Sequence, residues 1–147
     1  MSTGHARAYA GDITPLEAWK MLSDNPQAVL VDVRTDAEWR FVGVPDLSSL
    51  GREVVFIEWN MTDGKHNENF ATELRDRIPP ADPGGGERPV VFICRSGNRS
   101  IGAAEVATEA GIAPSYNVLD GFEGHLDAHG HRGVTGWRAI GLPWKQQ

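Results

Sequence analysis

Residues 89–100 read PVVFICRSGNRS, and this stretch decides the fold. Its first five residues, 89–93, form a run of β-branched and aromatic side chains without polar alternation, which is typical of a strand buried on both faces of a sheet. A helix is predicted over residues 100–110, and Gly111 is its predicted left-handed C-cap residue. The stretch therefore predicts a strand, a short turn that begins at Cys94 and a helix, as in a parallel α/β sheet.

Capping boxes and buried strands continue this alternation on both sides of the stretch. A hydroxyl at the N-cap with Glu three residues later occurs at Thr14–Glu17 and again at Thr35–Glu38, and each pattern marks the start of a helix. The predicted helices cover residues 15–22, 36–39, 67–78 and 100–110, and the predicted strands cover residues 28–33, 53–57, 89–93 and 115–119. We therefore expect an α/β fold with a mainly parallel central sheet flanked by helices on both faces.

Length and composition favour a single domain over residues 1–147. A chain of this length buries roughly 70% of the surface that its unfolded form exposes, so a disulfide-stapled core is not needed. With 40% hydrophobic and 23% charged residues, the chain is neither a disordered tail nor a fibrous repeat. We expect residues 1–11 to be a flexible N-terminus, residues 79–86 a surface loop, and residues 130–147 a C-terminal extension packed on the body.

Charge and hydropathy exclude two classes of partner. The formal net charge is −6 and no basic run reverses it locally, which disfavours nucleic acid and anionic membranes as partners. The longest apolar stretches, such as residues 54–57, are far shorter than the ~20 residues of a membrane span. The first fifteen residues lack the apolar core of a signal peptide, so we expect a cytoplasmic protein.

Cys94 is the candidate nucleophile. As the one cysteine of the chain, it excludes an internal disulfide and a site with several Cys ligands. It follows a buried strand at the edge where parallel sheets bind ligands. A loop that wraps around the sulfur would aim backbone N–H groups and a helix N-terminus at it, and Arg95 and Arg99 supply positive charge, so the thiolate is favoured. A purely apolar role fits poorly with neighbours that include two Arg, two Ser, Gly and Asn.

Four motifs in this order resemble a single-domain rhodanese. They are VDVR at residues 31–34, GVP at 43–45, CRSGNRS at 94–100 and LDGF at 119–122, and the resemblance covers about residues 13–144. The resemblance implies sulfur transfer: thiosulfate or a similar small donor leaves its outer sulfur on Cys94 as a persulfide. Cyanide, a small thiol or a protein thiol then accepts the sulfur. Such chemistry implies no cofactor and no metal.

The loop also supplies the candidate substrate contacts. Two positions outside it are expected to have supporting roles: by resemblance, Asp32 orders the neighbouring loop and Arg34 pairs with a carboxylate, for which Glu38 is the local candidate. Ser96 and Ser100 can each donate a hydroxyl hydrogen bond to the sulfur or cap the following helix, and capping is the favoured role of Ser100. The sequence leaves open which arginine is the main anion contact. The predicted substrate-binding residues are Arg95, Ser96, Gly97, Asn98, Arg99 and Ser100.

Two other functions remain as alternatives. Cysteine phosphatases and arsenate reductases of similar fold place five residues between cysteine and arginine, whereas four separate Cys94 from Arg99 here, and Ile93 stands where those enzymes usually have His. A smaller ring suits a single sulfur atom better than a tetrahedral oxyanion. The second alternative is a rhodanese-like module that binds a partner or senses oxidation through Cys94 without turnover.

Three histidines near the C-terminus invite a metal hypothesis, which we do not adopt. His125, His129 and His131 lie within seven residues, but Gly130 and Gly133 break any helix that would align them and no cysteine assists. A polar loop accounts for them, and the sequence assigns them no role.

Overall fold

A computed structural model of the chain describes residues 8–78 and 87–146. The predicted surface loop at residues 79–86 lies outside the described residues. The predicted N-terminal segment, residues 1–11, is described from Ala8 onward, and Gly11 already begins a strand. The elements in chain order are β1 (Gly11–Ile13), α1 (Pro15–Asp24), β2 (Val29–Asp32), α2 (Asp36–Phe41), β3 (Val44–Pro45), a 3-10 turn (Ser48–Leu50), β4 (Val55–Phe56), α3 (Phe70–Arg77), β5 (Val90–Ile93), α4 (Arg99–Glu109), β6 (Ser115–Val118) and β7 (Trp144–Lys145).

The expected parallel α/β sheet is confirmed. Its five described strands have the order β1-β6-β5-β2-β4, and every pairing between them is parallel. The strand that precedes Cys94, β5, is central, with β2 on one side and β6 on the other. A small antiparallel pair, β3 with β7, joins the C-terminal segment to the middle of the chain.

Alternation along β5 assigns the two faces of the sheet. Val90 and Phe92 belong to one buried cluster, whose helical members come from α3 and α4, and Val91 and Ile93 belong to another with residues of α1. Burial of each such large apolar side chain contributes roughly 1.5–3 kcal/mol. Because side chains alternate, Cys94 lies on the same face as Phe92, beside α4.

Both predicted capping boxes are present. Thr14 and Thr35 each accept a hydrogen bond from the backbone of the Glu three residues later, and that Glu side chain accepts one from the Thr backbone. The third predicted helix begins later than expected, at Phe70 rather than at residue 67. Asn67 is buried and accepts from the backbone N–H of Asn69, so its side chain forms a turn ahead of the helix.

The C-terminal residues pack against the sheet through one tryptophan. Trp137 is fully buried, its backbone N–H donates to Gly121 and its indole N–H donates to the carbonyl of Pro143 at 2.7 Å. Trp144 is 39% exposed and lies edge-on to Phe122. No helix in the described part of the chain has the length and apolar character that crossing a bilayer requires.

Candidate active site

Cys94 lies directly after β5, and its sulfur faces the loop that follows it. The residue is 1% exposed, and its Sγ accepts a hydrogen bond from the backbone N–H of Gly97 at 3.2 Å. The hydroxyl oxygen of Ser100 lies 3.1 Å from the same sulfur. The loop therefore turns back on its first residue, and the buried sulfur has polar contacts on its loop side. An anionic sulfur is stabilised by a backbone N–H donor such as that of Gly97.

Glycine at position 97 is required by this turn. Its φ is 96°, in the left-handed region that side chains disfavour, and a Cβ there would stand 3.1 Å from the backbone nitrogen of Asp120. The same close approach occurs at Gly121, where a Cβ would collide with the carbonyl of Cys94. Two adjacent backbones meet here without room for side chains.

The turn after β6 fixes the backbone of the cysteine loop. Phe122 donates its N–H to the carbonyl of Cys94 at 2.8 Å, and Glu123 donates to the carbonyl of Arg95 at 2.9 Å. These bonds explain why the LDGF segment, residues 119–122, belongs to the site: the backbone at its end holds the cysteine loop. The carbonyls of Cys94 and Arg95 are thereby fixed by hydrogen bonds, and the loop beyond them brings the Gly97 N–H to Sγ.

Arg34 pairs with a carboxylate as predicted, but the local candidate Glu38 is wrong and the partner is Asp32. The Arg34 guanidinium donates to the carboxylate of Asp32 at 2.7 Å and to the carbonyl of Gly43 at 2.8 Å, and both charged side chains are fully buried. It also lies over the ring of Phe122, 4.2 Å from the centroid. Residues two apart in extended backbone point to the same side, which is why Asp32 is the nearer partner. The pair braces the end of β2 next to the cysteine loop.

Glu38 pairs instead with Arg99, the first residue of α4. The guanidinium makes two hydrogen bonds to the carboxylate, at 2.9 and 3.0 Å, and both side chains are about one-fifth to one-quarter exposed. Burial acts to raise the pKa of Glu38, but the hydrogen bonds from Arg99 and Thr35 and the charge of Arg99 together outweigh burial and hold the pKa below its ordinary value. Burial acts to lower the pKa of Arg99, but Glu38, with smaller contributions from Cys94 and Asp32, raises it. Arg99 is a cation near the sulfur whose charge is already balanced.

The charge of Arg95, in contrast to that of Arg99, is not balanced by any described carboxylate. It is exposed, and its guanidinium forms no ion pair with any residue that the structure describes. Ser96 is half-buried and Asn98 is exposed, and no side-chain hydrogen bond joins either of them to the described residues. Asn98 is the N-cap of α4 but does not bond the helix through its side chain.

The expected capping role of Ser100 is also wrong. Ser100 is the second residue of α4 and is fully buried, with its hydroxyl oxygen directed at Cys94 Sγ and at Asn117 Oδ1, the latter at 2.5 Å. The helix begins one residue earlier than predicted, which moves this side chain from the cap to the inner face. Asn117 was missed by the sequence analysis. A polar residue in the middle of a strand predicted to be buried was the available signal.

The three histidines do not converge. His125 Nδ1 lies 2.9 Å from Asp120 Oδ1 and 3.0 Å from the hydroxyl of Thr135, whereas His129 and His131 contribute backbone N–H groups to the carboxylate of Asp127. Those two hydrogen bonds lower the pKa of Asp127. Within residues 8–78 and 87–146, no three His, Cys, Asp or Glu side chains gather in a way that would hold a metal ion.

A cavity of about 380 Å³ lies beside β4, away from the cysteine. No residue of the loop 94–100 lines it, and its two arginines bind backbone carbonyls: Arg52 donates to those of Asn25 and Ala28, and Arg77 donates to that of Phe56. It is not part of the candidate active site.

Similar sequences cover nearly the whole chain. A family model described as the STR4 middle domain matches residues 11–147. An uncharacterized protein of Rickettsia conorii is 36% identical over 134 residues, which are 91% of this chain and 96% of that protein. The chloroplastic protein THYLAKOID RHODANESE-LIKE of Oryza sativa subsp. indica is 28% identical over 141 residues, which are 96% of this chain and 26% of that protein.

Solved structures of similar fold also cover nearly the whole chain. The crystal structure of Rv0390 from M. tuberculosis has a TM-score of 0.88 and 77% identity, over 95% of this chain and 100% of that one. The solution structure of the 30 kDa polysulfide-sulfur transferase homodimer from Wolinella succinogenes has a TM-score of 0.60 and 25% identity, over 97% and 82%. A protein from Rhodopseudomonas palustris described as a possible tyrosine phosphatase, at 18% identity and a TM-score of 0.58, shares the fold alone.

Proposed function

The chain belongs to the STR4 middle domain family and is a rhodanese-like domain, and on this basis we propose that it is a sulfurtransferase that carries sulfane sulfur on Cys94. The observation that carries the proposal is the hydrogen bond from the Gly97 backbone to Sγ at the end of the central strand. This contact gives the thiolate a donor at the sheet edge where ligands bind. Thiosulfate or a similar small molecule is the proposed donor.

The first half-reaction loads the cysteine. The Cys94 thiolate attacks the outer sulfur of thiosulfate, a new S–S bond forms, and the bond between the two sulfur atoms of thiosulfate breaks. Sulfite leaves with that electron pair, and the outer sulfur of the resulting persulfide carries one negative charge. Charge and atoms balance, because one thiolate and one dianion become one persulfide anion and one dianion. Neither a metal nor a second cysteine is required.

In the second half-reaction, the outer sulfur is transferred from Cys94 to the acceptor. An anionic acceptor, such as cyanide or a thiolate, attacks the outer sulfur of the persulfide. The persulfide S–S bond breaks, Cys94 leaves as the thiolate, and the product is thiocyanate or a new persulfide. A protein thiol is an acceptor of the same chemistry. The Gly97 N–H stabilises the Cys94 thiolate, which is the reactant of the first half-reaction and the product of the second.

Arg95 is the better candidate for binding the donor anion. It is exposed and has no described carboxylate partner, whereas Arg99 already forms a two-pronged pair with Glu38. A guanidinium with free donors binds a sulfonate group through several hydrogen bonds at once. Arg99 adds positive potential at the sulfur, and two of its donors are already bonded to Glu38. Ser96 and Asn98, whose side chains are unengaged among the described residues, are proposed as further donors to the ligand.

Entry of the donor requires the loop to open, because Cys94 is 1% exposed. The two ends of the loop differ in this respect. Phe122 and Glu123 hold its start through backbone bonds, while the exposed Asn98 makes no side-chain bond to the described residues. We propose that the side chains of Ser96 and Asn98 move outward. The segment at Cys94 and Arg95 stays in place, as does the buried Gly97, whose N–H and carbonyl are both hydrogen-bonded.

The burial of Cys94 also favours one other function, that of a rhodanese-like module that binds a partner and catalyses no reaction. Intact mass measurement separates the two. After incubation with excess thiosulfate, the sulfurtransferase gains the mass of one sulfur atom and loses it when cyanide is added. Cys94→Ala gains nothing, and it is a complete control because the chain has one cysteine. An unchanged mass with thiosulfate and with polysulfide would reject sulfur transfer in favour of the binding module.

A further inference from the structure

The hydroxyl of Ser100 has two acceptors and one proton. Its oxygen lies 3.1 Å from Cys94 Sγ and 2.5 Å from the side-chain oxygen of Asn117. A hydroxyl donates one hydrogen bond at a time. Ser100 therefore cannot donate to the sulfur and to Asn117 simultaneously, and the orientation of Asn117 decides between them.

Two acceptors fix the orientation of the Asn117 amide. Its Nδ2 donates to the carboxylate of Asp12 at 3.0 Å and to the carbonyl of Gly97 at 3.2 Å. Exchanging the amide nitrogen and oxygen would set an oxygen against both of these acceptors, so Oδ1 must face Ser100. The register of the sheet, which pairs Asp12 with Asn117, and full burial of Asn117 hold the group in place.

We propose that Asn117 is a positioning residue that draws the Ser100 proton away from Cys94. With its O–H directed at Asn117 Oδ1, the Ser100 oxygen presents a lone pair to the sulfur and accepts from the neutral thiol. When the thiol ionises, either the hydroxyl turns and leaves a buried amide oxygen unpaired, or a lone pair faces the thiolate. Leaving a buried acceptor unpaired is destabilising, because the group has lost its hydrogen bonds to water. Asn117 thus lowers the thiolate fraction of the resting protein.

Asn117 also affects the sulfur-transfer reaction, because the charge on Sγ differs between the thiolate and the persulfide. This step rests on the proposed function. In the persulfide, the inner sulfur has neither proton nor negative charge, so Ser100 keeps its bond to Asn117 and nothing is left unpaired. Asn117 therefore favours the thiol and the persulfide over the thiolate. A low thiolate fraction also protects a single reactive cysteine from oxidation between turnovers.

Other charged groups act on the sulfur and must stay constant in a test. Arg99 on α4 and Asp32 at the end of β2 interact with the site electrostatically, Asp12 on β1 contacts the amide, and Arg95 lies in the loop itself. Arg99, Asp32 and Arg95 keep their contacts when position 117 or 100 changes. Asp12 loses its hydrogen bond from Asn117 in Asn117→Leu, and comparing that variant with the double variant cancels this change.

The test uses three variants: Asn117→Leu, whose side chain has the same branching and no polar group, Ser100→Ala, and the double variant. The rate of alkylation of Cys94 by a small neutral reagent is measured at neutral pH and at the high-pH plateau. The ratio of the two rates gives the thiolate fraction and cancels differences in access. No sulfur donor is present, so the result does not depend on whether the protein transfers sulfur. Ser23→Ala on α1, whose buried side chains pack on the other face of the sheet, is the matched control.

We expect Asn117→Leu to raise the thiolate fraction about tenfold, since the freed hydroxyl then donates to the thiolate through one charge-assisted hydrogen bond. Ser100→Ala alone should not lower the fraction, whereas Ser100→Ala added to Asn117→Leu should lower it about tenfold. Such non-additivity is the signature of a coupled pair. A severalfold decrease in Ser100→Ala alone, or no increase in folded Asn117→Leu, would overturn the proposal. If circular dichroism shows that Asn117→Leu does not fold, the thiolate fraction of Ser100→Ala alone tests the proposal.

Discussion

Arg99 and Glu38 form a two-pronged ion pair that joins the start of the helix behind Cys94 to the helix after β2. Glu38 has two tasks, because it is also the Glu of the second capping box. The charge of Arg99 is therefore balanced by a carboxylate that α2 needs for its own N-terminus. This arrangement separates the roles of the two loop arginines and makes them individually testable.

Removing the Glu38 charge should strengthen the binding of an anionic donor. In Glu38→Gln, Arg99 keeps its charge and loses its balancing carboxylate, so we expect KM for thiosulfate to fall about two- to fivefold, the range of a partly exposed ion pair. Steady-state kinetics at low and high salt measure this, and the effect should shrink at high salt. Glu17→Gln, at the equivalent position in the first capping box, is the matched control. Equal KM values in both variants and the wild type would contradict the role assigned to Arg99.

The ion pair should also make part of the stability dependent on acid pH. The pKa of Glu38 is lower in the folded protein than its ordinary value, so its contribution is fully present above the unfolded pKa of about 4.3 and is lost as pH falls through the folded value. We expect the difference in unfolding free energy between wild type and Glu38→Gln to shrink as pH falls below about 4.3. Urea unfolding over a pH series measures it. A difference that stays constant across this range would exclude the assignment.

Arg95 should affect binding and leave stability unchanged. Because its side chain is exposed and unpaired within the described residues, Arg95→Ala should not alter the unfolding free energy. Loss of a charge-assisted contact to the donor should raise KM for thiosulfate about tenfold or more. Arg75→Ala, at an exposed position on α3, controls for net charge. If both variants raise KM equally, Arg95 acts through net charge and is not a donor contact.

The buried pair of Asp32 and Arg34 should be important for stability. Asp32→Ala leaves the fully buried Arg34 guanidinium without its carboxylate, and breaking such a pair costs about 3–5 kcal/mol. The control is Asp36→Ala, which breaks the exposed pair between Asp36 and Arg40 and should cost less than about 1 kcal/mol. Urea unfolding of both variants provides the comparison. Similar losses in the two would mean that Asp32 is not the partner on which Arg34 depends.

The central unit of the fold could be predicted because its signals are local. Five apolar residues, a cysteine and a loop of small and basic residues determine a strand, a turn and a helix, and both capping boxes are complete within four residues. Strand β1 has three residues and β3 and β7 have two each, so these strands carry too few residues for an alternating pattern. Their existence depends on pairing with distant segments.

The partners of the site residues were harder to predict for the same reason. Sequence proximity suggested Glu38 for Arg34, but extended backbone brings Asp32 to the same side and leaves Glu38 to Arg99, 61 residues away. Ser100 was expected to cap a helix that starts one residue earlier than predicted. Asn117 comes to Ser100 only through the pairing of β5 with β6, which no local pattern encodes.

The most direct test of the central claim follows one sulfur atom through Cys94. Thiosulfate labelled in its outer sulfur is mixed with the protein, the peptide that contains Cys94 is analysed by mass spectrometry, and cyanide is then added. We predict one labelled sulfur on Cys94, its complete transfer to thiocyanate, and release of unlabelled sulfite in the first step. Label absent from Cys94, or thiocyanate formed equally well by Cys94→Ala, would contradict the account.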